Sequence, residues 1–421
     1  MTTMLTATAA NDIFQRRESQ VRSYCRSFPA IFSGARGPWL IDEDGREYLD
    51  FLCVAGAANY GHNDPPIKAA VIEYLATDGP IASLDLHTSA KQAFLRSFEE
   101  RILVPRGLDH RVQFTGPTGT NAVEAALKLA RKVTGRSTIL AFTNGYHGMS
   151  LGALAATGNA LARSGAGIPL GYTSFAAFDG YGGRDDSLAD LVRRLDDPSS
   201  GLDLPAAAIV ETVQGEGGCN AASWDWLRGL AEILRERGIL LIIDDVQAGC
   251  GRTGTFFSFE PAGITPDFIV LSKSIGGLGL PMSLLLMRPE LDLWQPGEHN
   301  GTFRGNNLAF VAARAALEYY WSDSSFAAGV QARGDIIRAR LERIAARHPG
   351  LAYTGRGLLA GLRCQDPSRA AAISRAAWGL QLIIERCGPR DEVVKTMPPL
   401  NIPISALHDG LDRLERAIAA V

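Results

Sequence analysis

The sequence lacks the long apolar run that a membrane span would need. Its apolar runs, such as residues 239–243 and 284–287, are far shorter than the roughly 20 residues that cross a bilayer. A dominant charge is also missing, because 42 basic and 45 acidic residues leave a net charge of −3. The composition therefore indicates neither a nucleic-acid partner nor an anionic membrane surface.

The sequence also lacks a signal-peptide pattern, a cysteine pattern typical of disulfides and a metal-ligand pattern. No basic residue precedes Arg16, and no apolar stretch of signal-peptide length occurs near the N-terminus. The six cysteines form no CxxC pair, which is typical of buried thiols in a reducing compartment. His87, His147 and His299 lack the spacing of a metal triad, so we expect no metal. These absences together predict a cytoplasmic protein.

The chain does contain short apolar runs that alternate with helical patterns. Most runs are apolar throughout, as in strands that helices cover on both faces, so they predict an α/β domain with a mostly parallel sheet. The predicted strands are residues 112–115, 138–142, 207–213, 239–243, 268–271 and 283–287, and the clearest predicted helices are residues 121–134 and 223–237.

The chain length is typical of two or three domains at ~100–200 residues each. We predict an N-terminal arm and hairpin at residues 1–64 that belong to the smaller domain, with the hairpin turning at Asp44-Gly45. The arm could wrap a partner or seal a site. Residues 65–305 would form the large domain, and residues 306–421 a smaller C-terminal α+β domain. A stripe of Leu407, Leu411, Leu414 and Ile418 predicts a final helix there.

A turn rich in Gly and Thr, residues 116–121, lies between a predicted strand and a predicted helix. Small residues expose backbone N–H groups to an anion, and the helix N-terminus adds partial positive charge. By itself such a turn is more often a simple cap, and Asn121 with Glu124 resembles a capping box. The turn matches neither GxxxxGK[ST] nor GxGxxG, so no nucleotide is indicated.

Asp244 and Lys273 follow two successive predicted strands. Alone, the Asp could equally cap a turn and the Lys could face solvent. Open α/β sheets bind ligands at the carboxyl ends of their strands, however, so both side chains can reach one crevice. An anion site, a carboxylate beside a ring nitrogen and a Schiff-base lysine are what pyridoxal phosphate requires. The combination predicts a site for this cofactor.

Five ordered motifs resemble those of the class III pyridoxal-phosphate aminotransferases, and the resemblance covers nearly the whole chain. It implies a fold type I enzyme that is a homodimer or a dimer of dimers, with active sites at the subunit interface. The motifs that carry the resemblance are residues 117–122, 146–148, 211–218, 244–254 and 272–273.

The resemblance also implies roles for individual residues. Lys273 would be the Schiff-base lysine and Asp244 the partner of the pyridine nitrogen. Gln247 would hydrogen-bond the ring hydroxyl, while Val246 and Tyr146 would pack on opposite ring faces. The phosphate would be bound by Gly119 and Thr120 and by Thr302 from the neighbouring subunit, and the two acidic positions on the substrate side would be Glu211 and Glu216.

Two positions depart from the usual pattern of family members that handle glutamate. Met149 follows the aromatic-x-Gly motif where an Arg is common, and Lys395 takes the place of an Arg before the Pro-Pro pair. Lys395 could still bind a carboxylate, but as a point charge without the bidentate fork. Arg304, where many relatives have Gly, is the candidate for a replacement carboxylate anchor or for a structural role.

Residues 114–121, 247–260 and 298–306 resemble one subgroup of the family, which makes L-2,4-diaminobutyrate from aspartate 4-semialdehyde and glutamate, as in ectoine biosynthesis. The sequence leaves open another ω-amine, such as ornithine or putrescine. It also leaves open a racemase or mutase with the same motifs, and a non-catalytic module that binds pyridoxal phosphate.

Overall fold

The N-terminal part of the chain forms a small sheet. A computed structural model describes residues 12–421; the first eleven residues of the predicted arm lie outside this range. Residues 382–383, from the C-terminal part, pair with the last N-terminal strand in parallel. The predicted hairpin is formed by the second and third strands. The elements are α1 (Asp12–Arg17), α2 (Tyr24–Ser27), β1 (Phe32–Arg36), β2 (Trp39–Asp42) and β3 (Glu47–Asp50).

The central part of the chain forms a seven-stranded sheet. Its strands are β4 (Arg111–Phe114), β5 (Ile139–Phe142), β6 (Thr173–Ala176), β7 (Ala207–Val210), β10 (Leu240–Asp244), β11 (Phe268–Leu271) and β12 (Leu284–Met287), and a two-stranded hairpin, β8 (Val213–Gln214) and β9 (Asn220–Ala221), follows β7. The order is β4-β12-β11-β10-β7-β5-β6, in which β12 runs antiparallel to both neighbours. The predicted α/β class with a mostly parallel sheet is thereby confirmed.

Helices cover both faces of this sheet. The helices of this part of the chain are α3 (Pro65–Ala76), α4 (Ser89–Phe98, followed by a π-helical turn at Glu99–Leu103), α5 (Gly119–Thr134), α6 (Leu151–Ala155), α7 (Ala160–Ser164), α8 (Ser187–Asp196), α9 (Trp224–Glu236) and α10 (Asn307–Tyr320). Residues of β5, β7, β11 and β12 are buried throughout, which explains their unbroken apolar runs. The sequence did not predict β6, because this edge strand begins with the polar Thr173 and Ser174.

The C-terminal part combines an antiparallel sheet with three helices. The elements are α11 (Ser325–Arg347), β13 (Leu351–Arg356), β14 (Leu359–Cys364), α12 (Pro367–Gly379), β15 (Leu382–Ile383), β16 (Glu385–Cys387), β17 (Val393–Thr396) and α13 (Ile404–Ala419). The sheet order is β13-β14-β17-β16. The leucine stripe of α13 is buried in the apolar core between these layers. Among the described helices, none is long and apolar enough to cross a membrane.

Candidate active site

The carboxyl ends of neighbouring strands bring the two principal candidate residues together. Asp244 ends β10 and is paired in register with Val270 of the parallel strand β11. Lys273 follows β11 after one intervening residue, Ser272, and has a left-handed backbone with φ +53°. The carboxylate and the amine therefore lie at the same edge of the sheet, as the sequence predicted.

A cavity of about 290 Å³ opens at this edge. Its lining includes nine of the twelve residues that the sequence predicted for the site. The lining residues are Thr118, Gly119, Thr120, Tyr146, His147, Gly148, Met149, Glu211, Glu216, Asp244, Val246, Gln247 and Lys273. Lys395 lies behind this wall, where it contacts Glu216.

Asp244 is held by a histidine that the sequence did not assign to the site. Nδ1 of His147 lies 2.7 Å from Oδ2 of Asp244, and both side chains are buried. Burial lowers the pKa of His147, but the hydrogen bond and charge of Asp244 outweigh it and raise the pKa overall. The contact with His147 therefore fixes the orientation of the Asp244 carboxylate at the cavity.

Lys273 has the electrostatics of an amine that can act as a nucleophile. Burial lowers its pKa below the usual lysine value, and the carboxylate of Glu216 opposes this effect. A lowered pKa increases the fraction of neutral amine, which is the form that attacks a carbonyl group.

The Gly- and Thr-rich turn leads into α5, as an anion site requires. The first N–H groups of a helix have no partner within the helix, so those at Gly119 and Thr120 are available to a phosphate. A Cβ atom at position 119 would come within 3.0 Å of Val246, so glycine keeps this approach open. Oγ1 of Thr120 forms a 2.5 Å hydrogen bond with Ser150.

The capping pair that the sequence predicted for α5 is wrong. The helix begins at Gly119, two residues earlier than predicted, and its capping box joins Thr118 to Asn121. Glu124 instead caps α6, where its Oε1 accepts hydrogen bonds from Ser150 Oγ at 2.6 Å and from Gly152 N at 2.9 Å. Both Thr118-x-x-Asn121 and Asn121-x-x-Glu124 fit the capping spacing, so the sequence alone did not decide between them.

Hydrogen bonds fix the side chain of Gln247 at the wall of the cavity. Its Nε2 donates to Ala55 O at 3.0 Å and lies 3.2 Å from Glu216 Oε1. Its Oε1 is buried without a hydrogen-bond partner among the described residues. A Cβ atom at Gly215 would lie 1.6 Å from this oxygen, so a side chain there would displace the amide of Gln247.

Glu211 supports the loop that carries Tyr146. Its carboxylate accepts hydrogen bonds from Tyr146 N at 2.9 Å and Gly215 N at 3.2 Å. Burial raises the pKa of Glu211 to about 7, and the charge of His147 opposes the rise. Glu211 therefore keeps its proton to a higher pH than an ordinary glutamate.

Lys395 lies between two carboxylates. Its Nζ is 2.8 Å from Glu216 Oε1 and 2.9 Å from Glu385 Oε1, and its side chain is fully buried. Burial alone would lower the pKa of Lys395, but the two carboxylates raise it well above the usual value. Lys395, with Lys273, in turn lowers the pKa of Glu216 to about 2 despite burial. Burial raises the pKa of Tyr24 in α2, and the charges of Glu385 and Glu216 add to the rise, so the arm reaches this cluster.

Thr302 and Arg304 are not brought to this cavity within one chain. They lie in the short helical turn Thr302–Arg304, and Arg304 pairs with Asp85 beside a separate cavity of about 440 Å³. Their roles stay predictions, because the resemblance assigns Thr302 to the neighbouring subunit. In the part of the chain that the structure describes, no group of three or more His, Cys, Asp or Glu side chains could hold a metal.

The residues present fit pyridoxal phosphate. The helix N-terminus at Gly119 offers donors to a phosphate, and Asp244 presents a carboxylate of fixed orientation. The unpartnered Oε1 of Gln247 can accept a hydrogen bond from a ring hydroxyl, and Lys273 supplies a buried amine. These four features line one cavity of a suitable size.

Fold and site together define a pyridoxal-phosphate-dependent transferase of fold type I. The chain belongs to the class III aminotransferases, because the model of that family, described as "Aminotransferase class-III", matches residues 22–418. Pyridoxal phosphate is therefore the cofactor. Both the cofactor and the family resemblance predicted from the sequence are confirmed.

Similar proteins extend over almost the same length. The diaminobutyrate–2-oxoglutarate transaminase of Nocardia farcinica is 55% identical over 98% of this chain and 95% of its own. The protein of the same name from Bordetella parapertussis is 56% identical over 97% of this chain and 94% of its own. Among solved structures, the ornithine aminotransferase of Toxoplasma gondii aligns with a TM-score of 0.86 and 25% identity, covering 98% of this chain and 95% of that one.

Proposed function

We propose that this aminotransferase interconverts aspartate 4-semialdehyde plus L-glutamate and L-2,4-diaminobutyrate plus 2-oxoglutarate. The main support is the identity of 55% and 56%, over nearly the full length, with relatives that carry the name of this reaction. The charged cluster around Lys395 adds support, because Lys395 can bind a substrate carboxylate when Glu216 moves away from it and is paired with Glu216 otherwise.

The cofactor, when bound, supplies a protonated ring that accepts electrons from the substrate carbon. Asp244, held by His147, would keep the proton on the ring nitrogen. Lys273 would hold the cofactor between reactions, take the proton from the substrate carbon and return it later. Its lowered pKa suits both tasks, because the neutral amine is the active form.

The remaining predicted residues would position the cofactor. Tyr146 and Val246 would pack on its two faces, and Gln247 would accept a hydrogen bond from the ring hydroxyl. The donors at the start of α5, Gly119 and Thr120, would bind the phosphate. Thr302 of the neighbouring subunit would complete the phosphate site in a homodimer or a dimer of dimers.

The ion pair of Glu216 with Lys395 would act as a gate. The two half-reactions need different pockets, since glutamate carries a second carboxylate and the amino aldehyde does not. When glutamate binds, its carboxylate would replace Glu216 on Lys395. When the four-carbon substrate binds, Glu216 would stay on Lys395. Glu211 would hold the neighbouring loop, and Arg304 would serve as a further carboxylate anchor.

Other reactions have less support. An aminotransferase for ornithine or putrescine would use the same chemistry with a different pocket, and the names of the relatives favour diaminobutyrate. Membership of an aminotransferase family favours transamination over racemisation, and an enzyme over a non-catalytic module.

Cellular context is part of the same proposal. We place the enzyme in the cytoplasm, with a role in making diaminobutyrate for ectoine or a related product. We further propose an arm and hairpin at residues 1–64, a large domain at residues 65–305 and a small domain at residues 306–421, with the arm and the small domain acting as one unit.

A panel of amino donors tests the function. The purified protein, loaded with pyridoxal phosphate, is mixed with diaminobutyrate, ornithine or putrescine and 2-oxoglutarate, and glutamate formation is measured. We expect the highest kcat/KM with diaminobutyrate. A higher value with ornithine or putrescine would reject the proposed substrate but keep the aminotransferase class. Dependence on an amino donor also excludes a racemase.

A further inference from the structure

One of the two carboxylates on Lys395 is fixed and the other is movable. Glu385 lies directly opposite Lys395 in the antiparallel pairing of β16 with β17, so the hydrogen bonds of the sheet hold this pair together. Glu216 belongs to the loop between β8 and β9, lines the cavity and is 31% exposed. Only Glu216 is therefore free to leave Lys395 without disturbing a sheet.

The two positions of Glu216 differ in the charge that surrounds Lys395. With Glu216 in place, one ammonium faces two carboxylates, which leaves an excess of one negative charge. With Glu216 turned away, Lys395 and Glu385 form a neutral pair with one donor position open. The carboxylate of glutamate can take that position and restore the earlier charge. Burial raises the pKa of Glu385 overall, and the ammonium of Lys395, 2.9 Å from its carboxylate, opposes the rise and favours the charged form.

The excess negative charge is close to the reacting group. Both Glu216 and Glu385 act electrostatically on Lys273, and Glu216 forms part of the cavity wall. Such a site favours a substrate with an additional cationic group. L-2,4-diaminobutyrate has an α-ammonium, whereas γ-aminobutyrate has the same four-carbon chain and terminal amine without it.

We propose that Glu385 is a positioning residue that sets substrate selectivity. By neutralising Lys395, it leaves the charge of Glu216 available to the α-ammonium of diaminobutyrate. This inference rests on the proposed function and extends it, because it names the residue that distinguishes a diamino acid from a simple amino acid. If Glu385 only filled the core of the small domain, its replacement would weaken the use of every substrate alike.

The test compares E385Q with E392Q, both in the full chain loaded with pyridoxal phosphate. Glu392 is a matched control, since its carboxylate is also buried but pairs with Arg363. Each half-reaction is followed by the absorbance of the cofactor, with diaminobutyrate or with glutamate. Calorimetric binding of glutarate, a five-carbon diacid that cannot react, gives a readout that does not depend on turnover. Inhibition by γ-aminobutyrate reports on an analogue that lacks the α-ammonium.

In E385Q, the reaction with diaminobutyrate and the binding of glutarate should change in opposite directions. E385Q should lower kcat/KM for diaminobutyrate by about tenfold or more, leave inhibition by γ-aminobutyrate nearly unchanged and bind glutarate more tightly. E392Q should keep the substrate preference of the unmodified protein. Equal losses with diaminobutyrate and glutamate in E385Q, or weaker binding of glutarate, would overturn the inference and leave the proposed function intact. An unmodified protein that reacts with glutamate but not with diaminobutyrate would overturn both.

Discussion

Replacing Glu216 by Gln should change the substrate preference without removing the cofactor. The pKa of Glu216 is about 2 instead of 4.5, a difference that corresponds to about 3 kcal/mol at ~1.36 kcal/mol per pH unit. The side chain is 31% exposed, so solvent screening reduces the cost of breaking its pair with Lys395 to about half of that. A gate that costs on the order of 1 to 2 kcal/mol to open weakens glutamate binding roughly tenfold.

E216Q removes the charge that holds the gate closed while it keeps the size of the side chain. We therefore expect KM for glutamate to fall about tenfold and KM for diaminobutyrate to rise, because the negative charge near its α-ammonium is lost. The measurement is the rate of each half-reaction against substrate concentration, followed by cofactor absorbance. The affinity for pyridoxal phosphate, measured by reconstitution of the apoprotein, should stay unchanged. Equal losses in both half-reactions, with KM for glutamate unchanged, would refute the gate.

Three further predictions concern other contacts of the site. Replacing His147 by Gln removes the partner of Asp244 and should slow both half-reactions by about ten- to a hundredfold; a rate within twofold of the original would contradict this role. In the unmodified protein, the raised pKa of about 7 makes Glu211 stabilising below about pH 4.5, and this contribution is lost as the pH rises through 7. Replacing Glu211 by Gln should therefore reduce the loss of stability between pH 5 and pH 8, measured by urea unfolding. The same pH dependence in the variant and the unmodified protein would argue against this. Replacing Thr302 by Ala should weaken cofactor binding about tenfold if it contacts the phosphate, measured by equilibrium dialysis, whereas an unchanged affinity would reject that contact.

The parallel strands explain why part of the site was predictable from the sequence. Asp244 and Lys273 each follow an apolar run, and neighbouring parallel strands place their carboxyl ends at one edge. Tyr146, Gln247 and Glu216 were named from motifs, and the cavity includes all three. Local sequence was sufficient here because each residue lies directly after a strand or in a short loop beside one.

The contacts of Glu385, Tyr24 and His147 could not be predicted in the same way. Glu385 meets Lys395 only through the exact register of β16 and β17, and a slip by one residue would turn it to the other face. Tyr24 lies near Glu385, although the two residues come from opposite ends of the chain. His147 stood in a motif, but its contact with Asp244 depends on the path of the loop after β5.

The most direct test of the account is to identify the residue that holds the cofactor. The holoprotein is reduced with borohydride, digested, and its peptides are searched by mass spectrometry for the pyridoxyl phosphate label. We expect the label on Lys273 alone, together with loss of turnover in K273A. A label on another lysine, or full turnover in K273A, would contradict the account.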